Sequence, residues 1–284
     1  MATLALIRTH TQLLLNDQNT RLLTAAQVDA LISRALEEWC NETEELWRDQ
    51  AYPVVAKQMF YTAPTDMIRP ISAHFGQTAY SPISIVNEFE FQQAGGNDLS
   101  YGSGTPAYLL VDKQGTAPVF RLWPPPTSTS ATSTLSAAIT DAAAASIDVT
   151  TASTSLRGPA GWVSIDSEKI IYQNISATQI LLARRGEAGT TAATHTNGST
   201  VTQLDLLVTY VRQPTAVSVD ADIPEINTQH HYYLAYGAAA MALAMDGRDP
   251  SHLTQVWEEK KQKAKREIAR RRAASPSFIL MAGI

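Results

Sequence analysis

The chain contains two alternating segments that both end in proline, Val119-Phe-Arg-Leu-Trp-Pro-Pro-Pro126 and Leu206-Leu-Val-Thr-Tyr-Val-Arg-Gln-Pro214. Alternation of apolar and polar residues predicts half-buried strands, and proline ends them because it cannot donate to a ladder. Between them, residues 127–203 hold 26 Ser or Thr among 77 residues, a composition found nowhere else in the chain. We therefore predict that a self-contained module separates two strands that could pair.

The predicted module has the pattern of a small antiparallel sandwich or barrel. Short alternating segments recur in it at regular spacing, with turn-forming residues between them. They are residues 147–150, 161–165, 169–172, 179–183 and 199–202.

Both ends of the chain have helical patterns. Thr24 and Gln27 have the spacing of a capping box, and apolar residues then recur at three- and four-residue intervals as far as Trp47. Near the other end, an Ala-rich segment from Thr228 is closed by Gly247, and a further helix is predicted from Asp249 to about Ala273. The predicted fold class is α+β. Helical N- and C-terminal regions surround a small antiparallel sheet, with an inserted all-β module that is sandwich- or barrel-like.

Charge is distributed unevenly along the chain. Residues 257–274 carry 8 Lys or Arg and 3 Asp or Glu, whereas the rest carries 14 basic and 24 acidic residues. The basic residues are Lys260, Lys261, Lys263, Lys265, Arg266, Arg270, Arg271 and Arg272. Two interpretations stay open, because clustered cations can neutralise DNA phosphates, or can stabilise the negative end of a helix that docks on an acidic neighbour.

No pattern predicts catalysis, a cofactor or a metal. Asp166 and Glu168 lie two residues apart on one face of a strand, but no nucleophile or phosphate site lies nearby in the sequence. His195 has no metal-ligand spacing around it, so we interpret it as a hydrogen-bonded turn residue. The single cysteine, Cys40, excludes an intrachain disulfide, and no apolar run approaches the ~18 residues of a bilayer span. We expect neither an enzyme nor a membrane protein.

Four motifs within the predicted module resemble a small β-module that recurs in tailed-bacteriophage structural proteins. That module has a strand ending in Asp-x-Glu, then Arg-Gly, Gly-Thr, a run of Ala before His, and Gly before a last strand. The resemblance covers about residues 135–203. The motifs are Ile165-Asp-Ser-Glu168, Ile180-Leu-Leu-Ala-Arg-Arg-Gly186, Gly189-Thr-Thr-Ala-Ala-Thr-His195 and Gly198-Ser-Thr-Val201.

The remainder of the chain resembles the phage head-to-tail adaptor family. The resemblance rests on Leu14-Leu-Asn-Asp17, Leu122-Trp-Pro-Pro-Pro126, Val208-Thr-Tyr-Val-Arg-Gln-Pro214 and an Ala-rich helix after Ile223-Pro-Glu-Ile226. In many relatives the two proline-terminated strands lie close in sequence, whereas here the predicted module separates them. The resemblance implies a virion structural protein, made in the host cytoplasm, that joins the portal to the tail in the phage neck as a ring of twelve copies.

The implied partners are other copies of the chain, the portal protein, the tail or next neck protein, and non-specifically the genomic DNA. Residues 1–126 and 204–274 would form a discontinuous adaptor domain, with residues 127–203 as the inserted β-module. Residues 275–284 would be a C-terminal docking segment. The predicted partner-binding residues are Trp257, Phe278, Ile279, Leu280 and Met281.

An alternative belongs to a different functional class. The β-module could make the chain a tail-associated binding protein that recognises carbohydrate or another cell-surface polymer. Trp162 and Tyr172 would then be the stacking residues.

Overall fold

The computed structural model describes residues 1–17, 22–76, 80–96, 102–112, 117–152, 156 and 159–274, with side chains through residue 271. Within these residues the protein is α+β. Its contacts divide it into two compact units. Of the described residues, the helical unit contains 1–47 and 211–274, and the strand unit contains those between Arg48 and Tyr210.

The second helix of the helical unit has the capping box that the sequence predicts. Thr24 Oγ1 accepts from the Gln27 amide, and Gln27 Oε1 accepts from the Thr24 amide at 2.9 Å. The prediction that this helix extends to Trp47 is wrong, because Glu44 adopts a left-handed φ of 57° and caps the helix. The helices are α1 (Leu4–Leu15), α2 (Ala25–Thr43), α3 (Glu88–Gln93), α4 (Tyr233–Met245) and α5 (Ser251–Ala274), with a 3₁₀ turn at Thr228–His230.

The apolar core of the helical unit lies among α1, α2, α4 and α5. Small residues on α4 allow its neighbours to approach closely, since a Cβ placed on Gly237 would lie 2.9 Å from the Trp257 ring. Gly247 follows α4 with a φ of 72°, which confirms the predicted stop. Among the described residues, no helix has the combined length and hydropathy to cross a bilayer.

The strands form two sheets. The first has seven strands in the order β1-β13-β3-β4-β5-β6-β2, and β4 runs parallel to β5. The second has six, in the order β7-β12-β9-β10-β11-β8. Their bounds are β1 (Trp47–Tyr52), β2 (Phe60–Thr62), β3 (Met67–Phe75), β4 (Ser81–Val86), β5 (Tyr108–Asp112), β6 (Val119–Trp123), β7 (Thr132–Thr134), β8 (Ser146–Asp148), β9 (Gly161–Ile165), β10 (Glu168–Ile175), β11 (Gln179–Arg184), β12 (Thr200–Gln203) and β13 (Leu206–Arg212).

The two proline-terminated strands, β6 and β13, are not neighbours. They lie in one sheet, but β3, β4 and β5 separate them. The expectation that they pair is therefore wrong, and the sheet is larger than predicted and not purely antiparallel. Alternation specifies which face of a strand is buried, but it does not specify the partner strand.

The second sheet closes into a barrel. Beyond the ends of β7 and β8, Leu135 pairs with Val149, and the Thr150 amide donates to the Thr134 carbonyl at 2.9 Å. The two outer strands, β7 and β8, are therefore joined through the residues that follow them, as closure of a barrel requires. The interior is apolar and includes Val163, Ile165, Ile170, Tyr172, Ile180 and Val201.

The chain enters and leaves this barrel at adjacent positions, because the Gln203 amide donates to the Ala131 carbonyl at 2.8 Å. The barrel and the seven-stranded sheet belong to the same compact unit. A small apolar cluster joins residues of both, namely Ala51, Trp162, Ile171, Leu204 and Leu207. The boundary between the two compact units thus differs from the predicted domain boundaries, and the predicted division into adaptor domain and inserted module stays a prediction.

Candidate interaction surfaces

Helix α5 divides its basic residues between internal contacts and the surface. The Nζ of Lys260 lies 5.4 Å from the centroid of the Tyr233 ring, and the Nζ of Lys265 lies 3.7 Å from Glu42 Oε2. By contrast, Lys263, Arg266, Arg270 and Arg271 are exposed. None of these four has an acidic partner among the described residues.

Lys261 is fully buried, which differs from its predicted role at a DNA or partner surface. Its Nζ lies 2.7 Å from Glu38 Oε1, 2.8 Å from Glu42 Oε1 and 2.7 Å from Glu258 Oε1. Burial alone would lower the pKa of Lys261, but the three carboxylates together raise it above its ordinary value. The lysine therefore joins α5 to α2 as a cation inside the helical unit. We call this group the lysine cluster.

The carboxylates of the lysine cluster have the spacing of a metal site. One oxygen from each of Glu38, Glu42 and Glu258 lies within 4.8 Å of the others. The ammonium of Lys261 is already bound to all three. The ammonium of Lys261 thus occupies the position that a metal ion would take between the three carboxylates.

Trp257 also differs from its predicted place in a docking surface. Only 3% of the residue is exposed, and its indole packs 5.1 Å from the Trp39 ring while Nε1 donates to Glu38 Oε1 at 3.0 Å. Its contribution is to the core of the helical unit. The other predicted docking residues, Phe278, Ile279, Leu280 and Met281, lie outside the described residues, as does the side chain of Arg272.

The motif residues of the barrel meet in a second buried ionic group, the glutamate cluster. Glu168 is 1% exposed, and its carboxylate accepts from Arg185 Nε at 2.9 Å and from Arg185 Nη2 at 2.5 Å. The backbone amides of Gly186 and Ala193 also donate to it, each at 3.1 Å. Burial raises the pKa of Glu168, but the hydrogen bonds from Arg185 and His195 outweigh this effect and leave it below its usual value.

His195 completes the glutamate cluster between two carboxylates. Its Nδ1 lies 2.7 Å from Asp166 Oδ2 and its Nε2 lies 2.8 Å from Glu168 Oε2. The predicted hydrogen bonding of His195 is confirmed, but the residue forms a β-bridge with Ile139 rather than a turn, and the sequence did not indicate its two carboxylate partners. The Asp-x-Glu, Arg-Gly and His motifs are therefore the parts of one network that holds the loop from Arg185 to His195 on the barrel.

The proposed carbohydrate-stacking residues are not available at the surface. Trp162 is 3% exposed and Tyr172 is 0% exposed. Tyr172 lies in the barrel interior, and Trp162 lies in the apolar cluster that includes Leu204 and Leu207. The sequence showed these aromatic residues but could not show which way they face.

The adjacent histidines His230 and His231 are likewise internal. His230 Nδ1 lies 3.0 Å from Glu45 Oε2, and the Trp39 indole donates to the same oxygen at 2.7 Å. Burial raises the pKa of Glu45, but these hydrogen bonds bring it below its usual value. Both imidazole rings are therefore buried within the helical unit.

Comparison with known proteins addresses the role of these units. No curated protein matches the chain. A family model described as SU10 adaptor protein matches residues 1–279, which is nearly the whole sequence. The chain therefore belongs to the SU10 adaptor protein family, and it is a bacteriophage structural adaptor, a virion component that interacts with other head or tail proteins.

Proposed function

We propose that this adaptor assembles into a closed ring in the phage neck, where it joins the portal to the tail and lines the DNA passage. The observation that carries the proposal is the match of the adaptor family to residues 1–279. Its mechanism is joining and sealing through repeated interfaces, without turnover of a substrate. A ring of identical subunits needs two different, complementary surfaces on each copy.

The proposed ring has twelve copies, matching a portal of the type implied by the family. The helical ends of the chain make the contacts with the portal and between copies. The seven-stranded sheet faces the next tail or neck component, and the barrel projects outward as a bracing element. The C-terminal segment, residues 275–284, docks on another subunit.

The exposed basic residues of α5 support a contact with the passing genome. Lys263 and Arg266 are three residues apart, so they lie on one face of the helix. Neutralising phosphates needs only such clustered cations and reads no sequence. So few contacts per copy would give weak, salt-sensitive binding, which suits a channel through which DNA must move.

We further propose that residues 127–203 are an insertion into the adaptor. The hydrogen bond between Gln203 and Ala131 supports this, because a module whose ends are adjacent can be accommodated within a host chain without separating the host residues. Replacing residues 131–203 with a short Gly/Ser linker should leave the helical unit folded. Loss of the α-helical circular dichroism signal in that variant would contradict the insertion.

The ring can be tested with the full chain. Native mass spectrometry of the purified protein, alone and mixed with portal, should show closed multimers with a single dominant copy number. Electron microscopy of the intact particle should place the chain between portal and tail. A monodisperse monomer at high concentration under both conditions would overturn the proposal.

The carbohydrate-binding alternative has no specific observation in its favour. Its two stacking residues, Trp162 and Tyr172, are buried. Glycan-array binding by the full chain is the experiment that would restore it.

A further inference from the structure

A surface in the strand unit combines an open cavity with exposed acidic and aromatic side chains. The cavity has a volume of about 360 Å³ and lies beside the start of α3, where Ile85, Leu110 and Val111 provide apolar walls. This volume is within the ~300–1,000 Å³ range of clefts that receive ligands. Phe89, the residue that follows Glu88 in α3, is 67% exposed.

The rim of this cavity is acidic. Glu88 and Asp112 both line it, and their side chains are 42% and 21% exposed. Arg121, which is only 12% exposed, lies 3.9 Å from Glu88 and 4.0 Å from Asp112. Among the described residues, both charged side chains that line the cavity are therefore acidic.

The C-terminal end of the chain has the complementary chemistry. Arg270 and Arg271 are exposed on the last turns of α5 and have no acidic partner among the described residues. The sequence continues as Ser275-Pro-Ser-Phe-Ile-Leu-Met-Ala-Gly-Ile284, which has no charged side chain. The four residues from Ala274 to Phe278 can span at most ~14 Å, so the arginines and the apolar group can reach one surface together.

We infer that the acidic cavity beside α3 receives the C-terminal end of a second copy of this chain. Phe278 and its apolar neighbours fill the cavity, and Arg270 and Arg271 pair with Glu88 and Asp112 at the rim. Charge and apolarity, two independent properties, are thus complementary between the cavity and the C-terminal end. The inference rests on the proposed ring and names the contact that would propagate it.

Such a contact is heterologous, since the donor end and the receiving cavity are different parts of the chain. Every copy can therefore donate once and receive once, and the series closes into a ring when the rotation permits. A copy without a functional end can still receive, and a copy without a functional cavity can still donate. This asymmetry makes the inference testable by mixing.

Two full-length variants disable the two surfaces one at a time. The end variant carries Arg270→Glu, Arg271→Glu and Phe278→Asp, and the rim variant carries Glu88→Lys and Phe89→Ser. Each alone should lose the multimers seen with the unaltered chain by native mass spectrometry, with an unchanged circular dichroism spectrum. An equimolar mixture of the two should form complexes of two copies, one of each variant, and no larger species.

Matched controls test the location of the contact. Lys263→Glu with Arg266→Glu reverses two charges earlier on α5, and Asp148→Lys with Leu181→Ser makes the rim changes on the exposed surface of the barrel. Both controls should retain multimers. Multimers that persist in the end or rim variant, or are lost equally in the controls, overturn the inference while leaving the ring intact. A mixture that stays monomeric also overturns it, and an unaltered chain that is monomeric with and without portal overturns the ring as well.

Discussion

The two compact units each bury a charged group, but with opposite sign and by different means. In the glutamate cluster a buried carboxylate is bound by an arginine, a histidine and two backbone amides. In the lysine cluster a buried ammonium is bound by three carboxylates that are 37% to 49% exposed. The first fixes the backbone of a loop, whereas the second joins two helices through side chains alone.

Burial of the partners decides how much stability is lost when the central charge is removed. Arg185 and His195 have side chains that are 6% and 2% exposed, so they cannot turn to water if Glu168 is neutralised. The carboxylates around Lys261 retain part of their hydration. Breaking a buried pair is costly because it leaves an uncompensated buried charge.

The largest effect is expected from Glu168→Gln. The amide cannot compensate the charge of Arg185, so the free energy of unfolding should fall by about 3–5 kcal/mol. Urea denaturation of the full chain, followed by tryptophan fluorescence, measures it. Asp148→Asn, an exposed carboxylate of the same barrel, is the control and should change little. Equal losses in both variants would show that Glu168 contributes no more to the free energy of unfolding than an exposed carboxylate does.

A smaller loss, about 2–3 kcal/mol, is expected from Lys261→Met, because the partly exposed carboxylates that remain are screened by water. The three carboxylates should then accept a cation, so millimolar Ca²⁺ should restore part of the lost stability. Thermal unfolding with Ca²⁺ or with EDTA measures the difference. In the control, Lys263→Met removes an exposed lysine. Neither this substitution nor added Ca²⁺ should change the unfolding temperature.

The two clusters should respond to opposite ends of the pH scale. The pKa of Glu168 is lowered in the folded protein, so its stabilisation is complete above the ordinary glutamate pKa of ~4.3 and is lost as the pH falls through the folded value. The pKa of Lys261 is raised, so its stabilisation is complete below ~10.4 and is lost as the pH rises through the folded value.

Unfolding curves of the unaltered chain and of each variant, recorded across pH, measure this response. The difference caused by Glu168→Gln should shrink under acid conditions. The difference caused by Lys261→Met should shrink under alkaline conditions, which is the diagnostic arm because acid also protonates its three carboxylates. A lysine difference that is constant up to pH 12 would argue against the cluster as the source of its stabilisation.

The smallest effect is expected from Asp166→Asn. Its side chain is 59% exposed although it contacts the same histidine as Glu168 does, so the loss should be below about 1 kcal/mol. Denaturation under the conditions used for Glu168→Gln gives the comparison. A loss as large as that of Glu168→Gln would mean that the two carboxylates act on His195 as an inseparable pair.

The sequence contained the residues of both clusters but only part of their arrangement. The motifs of the β-module contain all four residues of the glutamate cluster, Asp166, Glu168, Arg185 and His195. However, His195 lies 27 positions after Glu168, and no local sequence rule brings them together. Lys261 could have been found. It follows Trp257 by four residues and precedes Ala264 by three, so it lies in the apolar stripe of α5, where an unpaired lysine would not be tolerated.

Local signals predicted the elements of the fold better than their pairing. The caps of α2 and α5 and most barrel strands follow from residue types at short spacing. Strand order does not, as β6 and β13 show, because it depends on contacts between distant segments. The end of α2 was missed for a related reason, since Leu46 and Trp47 continue the helical spacing while Glu44 turns the chain.

Closure of the barrel limits how a neighbouring molecule can bind it. Because the two outer strands of the sheet are joined to each other, a neighbouring molecule must recognise the barrel through its side chains and loops. Substitutions on that exterior can then change what the particle touches while the backbone beneath stays as it was.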